Sequence, residues 1–137
     1  MQVEPYLNFD GRCEEAAEFY RSALSAEVLM LVRYGQTPGW TQSATEPEVS
    51  QDKVIHATIR IGQSVLKATD GQCKGRPRFE GINLSLVVDD AVEGESLFSA
   101  LGEGGRVNFP FAKTFFSKGF GIVADRFGVN WMVVVQD

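Results

Sequence analysis

The sequence predicts an α+β fold built from two copies of a β-α-β-β-β unit, and three observations agree on this. The order strand, helix, strand occurs twice, over Tyr6–Leu29 and Ile82–Phe109. Each occurrence is followed by a stretch typical of a β-hairpin. Matching positions, such as Val28 and Val107, lie about 77 to 79 residues apart, which indicates an internal repeat.

The first copy opens with a short apolar strand, Tyr6–Phe9, that ends at the turn-forming pair Asp10-Gly11. A helix follows, because apolar residues recur at the 3.6-residue period of one helical face: Cys13, Ala16, Ala17, Tyr20 and Leu24. Val54–Ile61 then alternates apolar and polar side chains and predicts a strand, which Ser64–Thr69 pairs with after a turn.

The second copy repeats this order. Ile82–Val88 predicts its first strand, and Asp90 with Glu93 three residues later predicts a capped helix start. The helix runs from Ala91 to Leu101 and a strand follows. That strand is Arg106–Phe109. In the final hairpin, Gly119–Ala124 is the outgoing strand, Asp125–Gly128 the turn and Val129–Val135 the returning strand.

The two copies are expected to share one domain that spans residues 1–137. Each half has about 65 residues and would bury only a small core alone. Module 1 covers about 3–70, a linker 71–80, and module 2 about 81–137.

The polar loop 36–52 contains Trp40, which could close over a ligand, dock on a partner subunit or pack on its own sheet edge.

Charge and hydropathy exclude several classes of partner. The net charge is −5 and no Lys/Arg-rich stripe is present, so we expect no nucleic-acid partner. No apolar run approaches the 18 or so residues of a membrane span, and no secretory signal is recognisable. The sequence therefore predicts a soluble cytoplasmic protein that does not bind membranes.

Two cysteines, Cys13 and Cys73, do not predict a disulfide framework in a chain without a secretory signal. Cys13 lies in the first turn of the predicted helix, where the helix dipole could lower the thiol pKa and make it reactive. The alternative is that Cys13 is a small buried residue on the apolar helical face.

The usual catalytic signatures are missing from the sequence. It contains no Gly-x-Gly-x-x-Gly after a strand, no Walker loop, no His-Glu-x-x-His, no Cys-x-x-Cys and no Gly-x-Ser-x-Gly. A single histidine also excludes a site with several imidazole ligands. Any catalysis must therefore use dispersed residues that face a cleft.

Three stretches resemble the PhnB-like branch of the glyoxalase/bleomycin-resistance/dioxygenase superfamily, also called the vicinal oxygen chelate superfamily. They are Pro5–Tyr20, His56-Ala57 with Ile61-Gly62, and Asp125–Gly128 followed by Trp131-Met132. The resemblance covers essentially the whole chain. It implies a U-shaped curved mixed sheet with helices on the outer face, a ligand in the cleft, and a homodimer.

In metal-using members, the resemblance implies His, Gln or Glu ligands on the first and last strands of each module. This sequence has Asn83 and Met132 at two of those positions and Tyr6, Asn8 and Lys67 at the others. Asparagine is a poor ligand for such metals, and a thioether suits only soft metals. We therefore expect no bound metal and no other cofactor.

Strand alternation predicts which side chains line the cleft. They are Tyr6, Asn8, His56, Thr58, Arg60, Lys67, Asn83, Ser85 and Met132, whereas Leu7, Phe9, Ile59, Leu84, Leu86 and Val88 should pack under the helices. The cations Arg60 and Lys67 favour an anionic or carbonyl-rich ligand, unless they pair with nearby carboxylates. His56 could bind a metal, act as a general base or hydrogen-bond a ligand, or make a structural hydrogen bond.

The phenylalanine-rich segment 115–120 is a second candidate surface, and Phe116 is its candidate ligand-binding residue. Phe115 and Phe116 could form a wall of the pocket or part of a dimer interface. The sequence leaves both interpretations open.

The predicted function is the binding of a small polar or anionic molecule without metal. One alternative is a small-molecule enzyme of lyase, isomerase or dioxygenase type. Another is an oligomeric protein that binds a partner and no ligand. A methyltransferase description also accompanies this branch of the superfamily, but the sequence lacks a Gly-rich loop for S-adenosylmethionine.

Overall fold

The computed structural model describes residues 1–41, 50–71 and 77–136. Within these ranges, two helices and eight strands follow one another in the order predicted from the sequence. Their bounds are β1 Tyr6–Asn8, α1 Cys13–Leu24, β2 Glu27–Arg33, β3 Val54–Ile61, β4 Ser64–Thr69, β5 Leu84–Val88, α2 Ala91–Gly102, β6 Arg106–Ala112, β7 Phe120–Ala124 and β8 Asn130–Val135. Neither helix is long and apolar enough to cross a membrane, within the part of the chain described.

The chain forms two compact units, Met1–Pro77 and Arg78–Asp137. The first holds a four-stranded sheet of order β1-β4-β3-β2, and the second a sheet of order β5-β8-β7-β6. In each sheet one outer strand pairs in parallel and the remaining pairs are antiparallel. The predicted α+β class with two β-α-β-β-β repeats is confirmed. The single domain and its U shape stay predictions.

The second strand of each unit is longer than predicted. β2 continues to Arg33 and β6 to Ala112, and both contain register shifts against their partner strands. Each is an edge strand, and an edge strand tolerates bulges and the proline at Pro110 because its outer backbone groups need no partner. β5 begins at Leu84, so Asn83 lies just before the strand instead of within it.

The core of the first unit lies between α1 and one face of its sheet. The five residues predicted for the inner face of α1 are all buried. They pack with the buried sheet residues Phe9, Ala57, Ile59, Leu66 and Ala68. The rings of Phe9 and Tyr20 lie 6.4 Å apart, which places the helix on this face. Leu7, predicted to face the helix, is only half-buried.

A buried carboxylate holds the start of α1. Arg12 occupies the N-cap position without a capping side-chain bond. Asp70, just after β4, instead accepts hydrogen bonds from the amides of Gly11 and Cys13, each 2.8 Å long, and from the Val54 amide at 2.9 Å. These charge-assisted bonds join the helix to the β3–β4 hairpin, and no sequence motif predicts them.

The second unit packs α2 on its sheet in the same way. Gly94, Phe98 and Leu101 of α2 are buried, as are Val88, Val123, Trp131, Val133 and Val135 of the sheet. Leu84 and Leu86, predicted as core, are only half-buried. Asp90 caps α2 by accepting a 3.0 Å bond from the Val92 amide.

A second buried carboxylate shapes the β7–β8 turn. Asp125 accepts hydrogen bonds from the Phe127 amide at 2.9 Å, the Val129 amide at 3.0 Å and the Trp131 indole Nε1 at 2.9 Å. The turn predicted at 125–128 is therefore present, and its aspartate also anchors the large side chain of β8.

Candidate functional site

The polar side chains of the first unit gather on the sheet face opposite α1, here called the polar face. Tyr6 of β1 pairs with Lys67 of β4, and Lys67 pairs with Thr58 of β3. Side chains directly opposite one another in a sheet lie on the same face, so these three form one row across three strands. The predicted placement of these residues on one face agrees with this register.

His56 links two members of that row. Its Nδ1 lies 3.2 Å from the Tyr6 hydroxyl, and its Nε2 lies 3.0 Å from Thr58 Oγ1. Since β4 lies between β1 and β3, the Tyr6 side chain passes over β4 to reach the imidazole. Tyr6 is 55% exposed, whereas His56 and Thr58 are half-buried, so the hydroxyl end of this group meets solvent.

Both tautomers of the His56 imidazole fit this arrangement. A neutral imidazole can accept from Tyr6 at Nδ1 while its Nε2–H donates to Thr58. In the other tautomer, Nδ1–H donates to Tyr6 and Nε2 accepts from Thr58. Both hydrogen bonds are satisfied either way, because each hydroxyl can donate or accept. The group therefore keeps both hydrogen bonds in either tautomer of His56.

Both cations of the polar face pair with carboxylates. Lys67 Nζ lies 3.0 Å from Glu4 Oε1, and Arg60 forms a short ion pair with Glu27. The pairing considered as the alternative for these cations is thus present. Glu4 was not among the predicted site residues, although its spacing of two from Tyr6 and four from Asn8 predicts the same face in an extended chain.

Asn8 has a local structural role. Its side-chain nitrogen donates to the Gly71 carbonyl, and its oxygen accepts from the Asp10 amide at 3.0 Å. These bonds support the turn after β1, in which Asp10 and Gly11 both have positive φ values. Both polar atoms of the Asn8 side chain are therefore engaged within the protein.

The remaining predicted site residues belong to the second unit. Asn83 is exposed just before β5. Met132 is half-buried on β8, lies opposite Ser85 of β5 in register, and points away from the face that buries Trp131. Phe116 is exposed in the connection between β6 and β7.

Phe116 belongs to an aromatic cluster, which we define as Phe109, Phe115, Phe116 and Phe120. Successive rings meet edge to face, at centroid distances of 5.6 Å for Phe109–Phe120 and 5.1 Å for both Phe116–Phe120 and Phe115–Phe116. Phe115 is fully exposed, and Phe109 and Phe116 are about half exposed. Contiguous exposed apolar surface of this kind is typical of an interaction site.

The turn that carries Phe115 and Phe116 is held rigidly. The Thr114 amide donates to the Ser117 carbonyl at 2.9 Å, and Thr114 Oγ1 accepts from the Ser117 amide at 3.1 Å. Ser117 is buried, and its Oγ lies 2.7 Å from the carbonyl oxygens of both Gly119 and Val135. The two phenylalanines are thus presented on a fixed backbone.

Trp40 is half-buried at the start of the long loop. Residues 42–49 of that loop, and Cys73 of the linker, lie outside the described residues. The alternatives for Trp40 therefore stay open.

Cys13 does not have the environment of a reactive thiol. Its side chain is fully buried, and burial, with smaller contributions from the charges of Asp70 and Glu14, raises the pKa of the thiol to about 12. The effect expected from the helix dipole is outweighed. The structure instead supports the alternative, a small buried residue beside Ala16 and Ala17.

The donor set does not fit the metal site of metal-using superfamily members. Asn83 and Met132 stand where His and Glu would be needed, and Lys67 is an ammonium already paired with Glu4. Among the residues that the structure describes, no three His, Cys, Asp or Glu side chains gather as a metal site.

Comparison with known proteins places these features in context. Residues 1–134 match the protein family described as 3-demethylubiquinone-9 3-methyltransferase. The Escherichia coli K12 protein YjdN is 32% identical over 140 residues, which cover 98% of this chain and 95% of YjdN.

Solved structures of similar proteins share the fold described above. PA1353 from Pseudomonas aeruginosa has a TM-score of 0.85 at 36% identity and covers 99% of this chain and 98% of its own. The PhnB protein from Bacillus cereus has a TM-score of 0.81 at 25% identity, with 99% and 100% covered. A glyoxalase/bleomycin resistance/dioxygenase domain from Frankia, at 14% identity and a TM-score of 0.64 over 100% and 98% of the two chains, shares the fold.

Proposed function

Since this chain belongs to the 3-demethylubiquinone-9 3-methyltransferase family, a PhnB-like branch of the glyoxalase/bleomycin-resistance/dioxygenase superfamily, we propose that it binds a small polar or anionic molecule on the polar face. One observation carries the proposal. The hydrogen-bonded group Tyr6–His56–Thr58 shares a sheet face with Lys67, the register partner of Tyr6 and Thr58, and the helix of its unit does not cover that face.

The chemistry of this group sets the kind of ligand. Two hydroxyls and an imidazole both donate and accept hydrogen bonds, and Lys67 adds a positive charge. Such a set favours a ligand with polar oxygens over an apolar one. The proposal needs no metal, because these side chains bind by hydrogen bonds and charge alone.

The test is a thermal-shift screen of small carboxylates, phosphates and hydroxylated compounds. A ligand that binds only the native state raises the melting temperature by mass action. We expect at least one compound to stabilise the wild-type protein and to lose its effect in Lys67→Met. Lys118→Met, which removes an exposed lysine from the second unit, is the matched control and should respond like wild type. A screen in which no compound depends on Lys67 contradicts the proposal.

The alternative function is a small-molecule enzyme, of lyase, isomerase or dioxygenase type. The proton arrangement of His56 and Tyr6 favours it, since a positioned phenol with an imidazole behind it can act as a general acid or base. Tyr6→Phe removes only the hydroxyl. If the protein is an enzyme, this change should abolish turnover of a compound found in the screen and leave most of its binding intact. Unchanged turnover would exclude Tyr6 from the reaction.

The methyltransferase description of the family is not our proposal for this chain, because the sequence carries no Gly-rich loop for S-adenosylmethionine.

We propose in addition that the protein is a homodimer in which the aromatic cluster lies at the interface. A rigid turn loses little conformational entropy on binding, and buried phenylalanines contribute strongly to interfaces.

A further inference from the structure

The ion pair between Glu4 and Lys67 differs from the other ion pairs on the described surface. The side chains of Lys67 and Glu4 are 35% and 28% exposed, whereas in every other pair at least one partner is more than half exposed. The pair also lies in the row of Tyr6 and Thr58, so the Glu4 carboxylate sits next to the hydrogen-bonding group of the polar face.

Glu4 reaches this place from outside the regular structure. It lies before β1, and the Lys67 amide donates a 2.9 Å bond to the carbonyl of the next residue, Pro5. That bond holds the backbone of Pro5 beside Lys67 and does not restrain the side chain of Glu4. Met1 and Val3 are almost fully exposed, so moving this segment uncovers no apolar core.

We propose that Glu4 holds the place of a carboxylate of the ligand, so that the molecule bound on the polar face carries a carboxylate and displaces Glu4 from Lys67. This inference rests on the proposed binding function and names its ligand class. The incoming carboxylate takes over the Lys67 ammonium, and the displaced Glu4 carboxylate is left to the solvent that already surrounds Met1 and Val3.

The exchange requires little free energy. Partly exposed ion pairs contribute about 0.2–1 kcal/mol, which corresponds to a change in affinity of about 1.4- to fivefold. A ligand carboxylate that also bonds to Tyr6 or Thr58 gains contacts that Glu4 is not seen to make. Glu4 thus keeps Lys67 paired when the site is empty and selects against ligands that offer no negative charge in its place.

The experiment uses acetate as the probe and the full chain as the protein. Backbone amide shifts of Thr58 and Lys67 are followed during titration of the wild type, Glu4→Gln and Glu18→Gln. Glu18 pairs with Arg21 on α1, so its variant makes the same change of net charge away from the polar face. Inorganic phosphate is titrated in parallel.

We expect Glu4→Gln to bind acetate about 1.4- to fivefold more tightly than the wild type, Glu18→Gln to match the wild type, and adding Lys67→Met to abolish binding. Equal acetate affinity in wild type and Glu4→Gln, with binding still dependent on Lys67, overturns this inference and leaves the binding function standing. Phosphate binding more tightly than acetate overturns the carboxylate class. If neither acetate nor any compound of the thermal-shift screen shows binding that depends on Lys67, both proposals fail.

Discussion

The imidazole of His56 is hydrogen-bonded to the hydroxyl of Tyr6, at 3.2 Å, although the two residues lie on strands that are separated by a third. The bond brings together the chain's one histidine and an exposed phenol. Tyr6 is also the register partner of Lys67, so the phenol, the imidazole and the lysine belong to one sheet face.

The first prediction concerns the thiol of Cys13. Burial raises its pKa to about 12, so the native thiol stays protonated and shielded. In a Cys73→Ser variant, we expect no reaction with a thiol reagent at pH 8 while the protein is folded, and one equivalent after denaturation. Rapid modification of the folded variant would show that the helix start is open to reagents.

The same shift affects stability at high pH. The pKa of the Cys13 thiol is higher in the folded state than in the unfolded state. Its contribution to the free energy of unfolding is therefore complete below about pH 8 and is lost as the pH rises towards the folded pKa.

The second prediction concerns Glu14, which binds Arg33 through two contacts of 2.6 and 3.0 Å. The hydrogen bond from Arg33 lowers the pKa of the Glu14 carboxyl, and the Arg33 and Lys53 charges add to this. A lowered folded pKa gives stability above the unfolded pKa of about 4.3 that is lost as pH falls through the folded value. Glu14→Gln should therefore lower the melting temperature slightly at pH 7 and hardly at all near pH 2.

The control for this effect is Glu18→Gln, whose exposed pair with Arg21 is longer, at 3.3 Å. The decreases in melting temperature caused by Glu14→Gln and by Glu18→Gln should both shrink in 1 M salt, since exposed ion pairs are screened. An effect of Glu14→Gln that is equal at both pH values would mean that packing, not charge, is responsible.

The third prediction concerns metal. Tight binding of zinc, nickel, iron or manganese usually takes three or four placed donors, so we expect less than about one-tenth equivalent of any transition metal in protein purified without a tag. Chelators should leave the melting temperature unchanged. Stoichiometric metal that is lost in His56→Ala would contradict this and favour the enzyme.

The fourth prediction concerns association. Sedimentation at micromolar concentration should give twice the chain mass of 15.1 kDa. The double change Phe115→Ser and Phe116→Ser should weaken the dimer about tenfold or more, because buried aromatic residues dominate interface energy. Val92→Ser, which removes another exposed apolar residue of the same unit, is the control. A stable monomer in the wild type would reject the homodimer.

The fold was largely predictable from the sequence because the two repeats reinforce one another and the strands alternate cleanly. β3 and β4 have the predicted bounds, and all five inner residues of α1 are buried. The extensions of β2 and β6 were missed, since bulged edge strands break the alternation on which the prediction depends.

The site was only partly predictable. Alternation predicts that Tyr6, His56 and Lys67 share a face, but it gives neither the reach of Tyr6 over β4 nor the partner of Lys67. Asp70 and Asp125 follow strands and look like ordinary turn residues, so their burial becomes visible only when the amides around them converge.

The most direct test of the central claim uses the imidazole of His56 as a reporter. The chain contains one histidine, so its ring signals in an NMR spectrum are unambiguous and report the polar face alone. Small carboxylates and other polar anions would be titrated into the wild type and into Lys67→Met. We expect at least one compound to shift the His56 signals saturably in the wild type and not in the variant. The binding proposal is contradicted if none of the compounds shifts the His56 signals, or if the signals shift equally in the wild type and in Lys67→Met.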